Sequence, residues 1–148
     1  MKTKMPLRYI EILVVEDNNA DVRLIREYFK DDRMIYHNIN VVNNGIEALK
    51  YLKKEGVYNH AVTPDIVLLD LYMPRMNGNE TLQAIRSESQ FEKLVVGLMS
   101  SNNLEDERLN IDVSGPTFYI IKPVDVDKFL ELMHKAESYL DEDLRIFS

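Results

Sequence analysis

Six side chains able to bind charge or to react follow directly on short apolar runs. Glu16 and Asp17 close the run 10–15, and Asp70 closes 65–70. Ser100 and Ser101 follow 94–99, and Lys122 follows 118–121, with Pro123 next. Two like charges ~4 Å apart repel by about 4 kcal/mol at an effective dielectric of roughly 20. If the three carboxylates share one rim, the single Lys122 cannot neutralise them. They then protonate in part or hold a divalent cation. An all-oxygen site suits Mg²⁺, which keeps waters and commonly meets a phosphate. An Asp in that company can attack phosphorus. A lysine can hold the phosphoryl oxygens, because phosphoryl transfer asks mainly for positioning and charge neutralisation.

The elements that must bring these groups together alternate along the chain. Short β-branched runs at 10–15, 39–42, 65–70, 94–99 and 118–121 read as strands. Amphipathic segments lie between them. Val22, Ile25, Tyr28 and Phe29 recur at helical spacing within 20–29. Ile46, Leu49, Tyr51 and Leu52 do so after Asn44-Gly45, and Leu82 and Ile85 mark a third helix. A weak fourth pattern holds Leu104, Leu109 and Ile111. A last helix is expected from about 124 to 140, with Val126, Phe129, Leu130, Met133 and Tyr139 inward. Such alternation implies a doubly wound α/β domain with a mainly parallel sheet. In open sheets of this kind, ligands bind beyond the carboxyl ends of the strands, at the topological switch point. The charged and hydroxyl groups stand at those ends. The stretch 55–64 reads as a surface loop, and no repeat is visible.

Composition narrows the function. The 148 residues fit one domain, and the net charge of −7 argues against nucleic acid and, more weakly, against an anionic membrane surface. The absence of Cys excludes disulfides, thiol catalysis and Cys-ligated zinc, and fits a cytoplasmic setting. No apolar run approaches the ~20 residues of a membrane span, and residues 1–6 hold no signal-peptide core.

Each residue taken alone has a plainer role. Asp17 or Asn18 can cap the first helix. Asp70 can cap a turn before Met73-Pro74, and Ser100 can simply start a loop. Lys122 can be a solvated charge and Tyr119 core filler. The stretch 17–21 mimics the opening of a calcium loop but has Val22 where that loop needs Gly and Tyr28 where it needs Glu. The glycines are too scattered for a phosphate-cradling loop, and His37, His60 and His134 lack ligand spacing. The acids 105–107 suit a solvated helix face.

Taken in order, the motifs resemble the receiver domain of two-component response regulators. They are Glu16-Asp17, the apolar strand ending at Asp70, Met73-Pro74 with Gly78, Ser100, and Lys122-Pro123. The likeness runs from about 9 to 140 and implies a five-stranded parallel sheet in the flavodoxin-like order 2-1-3-4-5, with helices on both faces. It implies a single domain over 1–148 without an output module. By that resemblance Asp70 is the phosphoacceptor, and Asp17, Asp70 and the Tyr72 backbone carbonyl ligate Mg²⁺ or Mn²⁺. Glu16 would act through a water. Ser100 and Lys122 contact the phosphoryl group, and Tyr119 is the aromatic switch that follows Ser100. A cis bond is expected before Pro123. The partner implied is a sensor histidine kinase. The output is a downstream protein or a second copy, bound on the face of the fourth helix, fifth strand and fifth helix, to which Ile146 and Phe147 would add. Such a domain is not an enzyme beyond assisting its own phosphorylation and dephosphorylation. The narrower likeness, from the 55–64 loop and the motif 70–74, is to small stand-alone regulators paired with phytochrome-like kinases in cyanobacteria. Tyr72 departs from the small polar residue of that motif, and its ring could slow hydrolysis of the acyl phosphate. Asn102 is the other position expected to tune that rate.

Three other readings share parts of this pattern. A haloacid-dehalogenase-like phosphohydrolase also uses Asp, Lys and Ser, but wants an early D-x-D where Tyr72 stands. An adaptor of the same fold would never take phosphate. A small flavin-binding protein shares the fold class, but the acidic rim would repel its phosphate.

Overall fold

The β-branched runs become five parallel strands: β1 (Ile10–Val15), β2 (His37–Val42), β3 (Ile66–Asp70), β4 (Val95–Ser100) and β5 (Thr117–Ile121). They form one sheet in the order β2-β1-β3-β4-β5, the order the resemblance implied. The computed structural model describes residues 7–30, 36–101 and 114–145. The fourth helical pattern, Asn102, Ile146 and Phe147 lie outside those residues.

Four α-helices are present among the described residues: α1 (Asn19–Phe29), α2 (Gly45–Leu52), α3 (Gly78–Arg86) and α4 (Val126–Lys135). β3 and β4 are buried along their whole length, as expected for parallel strands covered on both faces. The edge strand β2 alternates instead, with Asn38 and Asn40 exposed and Ile39 and Val41 partly buried. Those asparagines concealed its first two residues from an apolar-run reading, which starts it at Ile39.

Alternation along the strands splits the core in two. Ile12 and Val14 of β1 point to one face, where Ile25 and Phe29 of α1 and Phe129, Leu132 and Met133 of α4 cover them. Leu13 and Val15 point to the other, under Ala48, Tyr51 and Leu52 of α2 and Leu82 and Ile85 of α3. Phe29 and Phe129 meet edge to face at 5.0 Å and join α1 to α4.

Several expectations need correction. The last helix stops at Lys135, and the chain passes through Ala136 into a 3₁₀ turn at Glu137–Tyr139. The helical period ends there, so Tyr139 is 49% exposed, and Leu132, Ala136 and Leu140 are buried instead. Tyr28 and Ile46 are also exposed, because Phe29 and Ala48 take the inward positions. The 55–64 stretch is the surface loop expected, anchored at one point: Tyr58 Oη donates to Glu47 Oε2 at 2.7 Å, and its ring packs on Tyr51 at 5.4 Å.

Each of the four described α-helices opens on an Asn or Asp cap: Asn18, Asn44, Asn77 and Asp125. Three of these lie just beyond a strand's carboxyl end, so the caps help fix the loops that carry the charged groups. Asn77 and Glu80 form a reciprocal capping box at α3. Arg86, at the far end of α3, donates to the carbonyls of Phe91, Leu94 and Ser114 and to the Thr117 hydroxyl. It thus ties α3 to the segments entering β4 and β5.

Candidate functional site

Backbone hydrogen bonds beyond the strand ends hold the rim. Glu16 N–H donates to Val42 O, Leu71 N–H to Met99 O and Lys122 N–H to Ser100 O, all at 2.8–3.0 Å. The rim positions of β1, β3 and β5 are therefore fixed by their neighbours. α3 comes close behind β3. A Cβ at Gly78 would strike the Asp70 carbonyl oxygen and stand 2.7 Å from Leu71 Cα, so no side chain fits there.

Onto this rim the chain delivers Glu16, Asp17 and Asp70. One oxygen from each lies within 4.8 Å of the others. Glu16 and Asp70 are buried and Asp17 is exposed. Asn18 caps α1 through its own Oδ1, which leaves the Asp17 carboxylate out of that role. Glu16 Oε1 accepts from Asn18 N–H at 3.1 Å, and Asp70 Oδ1 accepts from Tyr72 N–H at 3.4 Å.

Lys122 stands among them. Its Nζ lies 2.8 Å from Glu16 Oε2 and 3.2 Å from Asp70 Oδ1. The Glu16 contact is an ion pair outside hydrogen-bond geometry, so Oε2 is buried without a hydrogen bond. Burial raises the Glu16 carboxyl to about 7 against the pull of Lys122, and the charge of Asp70 adds to the rise. Burial alone would lower Lys122; the close contacts with the Glu16 and Asp21 carboxylates outweigh it and leave the ammonium above its ordinary range.

The donor set fits a small hard cation. It offers three carboxylates, one with a buried oxygen that is ion-paired to Lys122 but accepts no hydrogen bond, on a rim with an exposed member through which solvent reaches. Ser100 is fully buried at the end of β4, one residue beyond the partner of Asp70 in the β3–β4 register. Tyr119 is half-buried on β5, three residues short of the rim, against the cluster under α2 and α3. Tyr72 follows Asp70 with its side chain 57% exposed. The Lys122–Pro123 peptide is cis.

Two features were not read from the sequence. Asp21, in the first turn of α1, accepts a hydrogen bond from Lys122 Nζ at 2.9 Å. Its neighbours in the calcium-like stretch drew attention elsewhere, and 101 residues separate it from its partner. Arg75, in the loop after Asp70, holds a left-handed φ of 68° that favours glycine.

The chain resembles known proteins in sequence and in fold. The family described as response regulator receiver domain matches residues 12–134. Response regulator Rcp1 of Synechocystis sp. is 27% identical over 128 residues, 86% of this chain and 86% of that protein. The Mn²⁺-bound form of Rcp1 matches with a TM-score of 0.67 at 26% identity, over 94% of this chain and 99% of that one. The phosphorylated cyanobacterial phytochrome response regulator RcpA matches at 0.68 and 30% identity, over 95% and 100%. The bacteriophytochrome response regulator AtBRR matches at 0.74 and 26% identity, over 88% and 94%. No helix among the described residues is long and apolar enough to cross a membrane.

Proposed function

The chain belongs to the response regulator receiver family, and on that footing we propose that it is a Mg²⁺-dependent phosphorylation switch with Asp70 as its phosphoacceptor. The observation that carries this is the convergence of Asp70, Lys122 and the Glu16-Asp17 pair on one rim. The donor is the phosphohistidine of a sensor histidine kinase, and the likeness to RcpA and AtBRR favours a phytochrome-like one. An Asp70 oxygen forms the new bond to phosphorus as the P–N bond breaks, and the electron pair returns to the imidazole. Asp17, Asp70 and the Tyr72 carbonyl would hold Mg²⁺ or Mn²⁺, with Glu16 acting through a water. That cation supplies the charge neutralisation that lets an anionic phosphoryl group approach carboxylates.

The remaining work falls to the chain's own groups. Lys122, its backbone locked to Ser100, places a cation beside Asp70 and can donate to the phosphoryl oxygens. Ser100, buried at the next strand end, supplies a hydroxyl to the same group. Drawing Ser100 toward phosphate changes the space against β5, where Tyr119 sits. The added charge thus biases a two-state equilibrium, with a typical coupling of about 1–3 kcal/mol. The response reaches the β5–α4 surface, on which a downstream protein or a second copy docks.

Intact-mass spectrometry after incubation with acetyl phosphate tests the assignment. One Mg²⁺-dependent phosphoryl adduct is expected on wild type, and none on Asp70→Asn. An adduct that survives Asp70→Asn refutes the assignment. Absence of any adduct, even with a phosphorylated kinase, turns the reading toward an adaptor.

A further inference from the structure

Asp21 occupies the third position of α1, where Asn18 Oδ1 accepts from its backbone N–H at 3.2 Å. Its side chain, 32% exposed, turns to Lys122. An ammonium has three N–H donors. Around Lys122 stand three carboxylates: Glu16 at 2.8 Å, Asp21 at 2.9 Å and Asp70 at 3.2 Å. The Asp21 contact has hydrogen-bond geometry. Glu16 and Asp70 also belong to the metal-ligand cluster, and Asp21 does not. Lys122 is therefore held between two carboxylates of the candidate cation cluster and one outside it. Its backbone is pinned by the bond to Ser100, so only the side chain can redistribute. A cavity of about 250 Å³ lined by Asp21, Leu24, Ile25, Tyr28, Met99 and Lys122 lies alongside and gives it room to do so.

We propose that Asp21 is a positioning residue for Lys122: its hydrogen bond competes with Glu16 and Asp70 for the ammonium and shares it with α1. It thereby leaves those carboxylates freer for a divalent cation and withholds one ammonium donor from a phosphoryl group. This deepens the assignment of Asp70 and rests on it for the phosphoryl half. A carboxylate in a first helical turn also favours the helix dipole, but that role does not involve Lys122.

Calorimetric titration of the whole chain with MgCl₂, and with beryllofluoride as a phosphoryl mimic at saturating Mg²⁺, separates the two roles. Asp21→Asn is expected to bind Mg²⁺ more weakly and beryllofluoride more tightly, each by roughly three- to tenfold, as residues in direct contact commonly couple. Asp21→Glu returns both constants toward wild type. Glu27→Gln removes an equal charge from α1 away from the rim and changes neither. In a Lys122→Ala background, Asp21→Asn has no further effect on either constant. Wild-type constants in Asp21→Asn overturn the proposal. So do effects that persist without Lys122, which mark long-range charge alone. A wild type that binds Mg²⁺ but not beryllofluoride sinks the phosphoacceptor assignment, and Asp21 is then judged on Mg²⁺ alone.

Discussion

Glu16 shows how one buried carboxylate shapes the behaviour of the site. The unfolded chain releases its proton near 4.5, whereas the folded chain holds it to about 7. The contribution to stability is full below the unfolded value and is lost as pH rises through the folded one. In chelator, wild type should therefore lose melting temperature between about pH 5 and pH 8. Glu16→Gln should lose distinctly less, and parallel pH profiles for the two proteins would refute this. Glu16, Asp17, Asp70, Ser100 and Lys122 were legible as residues because each is polar directly after an apolar run. Asp21 was not, since one more acid in a helix's first turn looks like a cap or a dipole partner. Only the fold brings β5 and α1 together to reveal its partner.

Among the elements, the central strands were the plainest, because continuous burial on two faces leaves continuous apolar runs. β2 was shortened by its exposed asparagines, and α4 was overextended because its apolar period continues in the sequence after the backbone has turned aside at Ala136. The caps carry a measurable share of each helix. Asn77→Ala removes one partner of the capping box and should cost about 1 kcal/mol. Urea unfolding would register it as a lower midpoint at unchanged slope. Because α3 begins against the Asp70 carbonyl, the same variant should also weaken Mg²⁺ binding. An unaltered urea midpoint would show that the box adds nothing in this setting.

At the scale of the molecule, the two core layers answer to different helices, and the aromatic pair Phe29–Phe129 binds α1 to α4 across one of them. Phe129→Ala should destabilise by about 3–5 kcal/mol. For a chain of this size that means a fall in melting temperature of roughly 10 °C or more, seen by circular dichroism. A fall of only a degree or two would mean that the layer collapses onto the gap. Arg86 was invisible to any pattern of apolar residues, yet it binds the loops before β4 and β5 through five hydrogen bonds, a polar fastening that hydrophobic periodicity does not encode. A second polar fastening lies at the same pole, where the parallel strands begin. Arg8 pairs with Asp65 at the start of β3 and with Asp141 beyond α4, and Leu7 N–H donates to Asp143 O. Leu7 and Arg145, the first and last residues of the described fold, thus flank the pole that faces away from the chemistry. For anyone coupling this chain to a biosensor chip or a bead, a linker placed on the amino-terminal side of Leu7 holds every copy by the pole remote from the carboxylate rim, which is turned outward to solution.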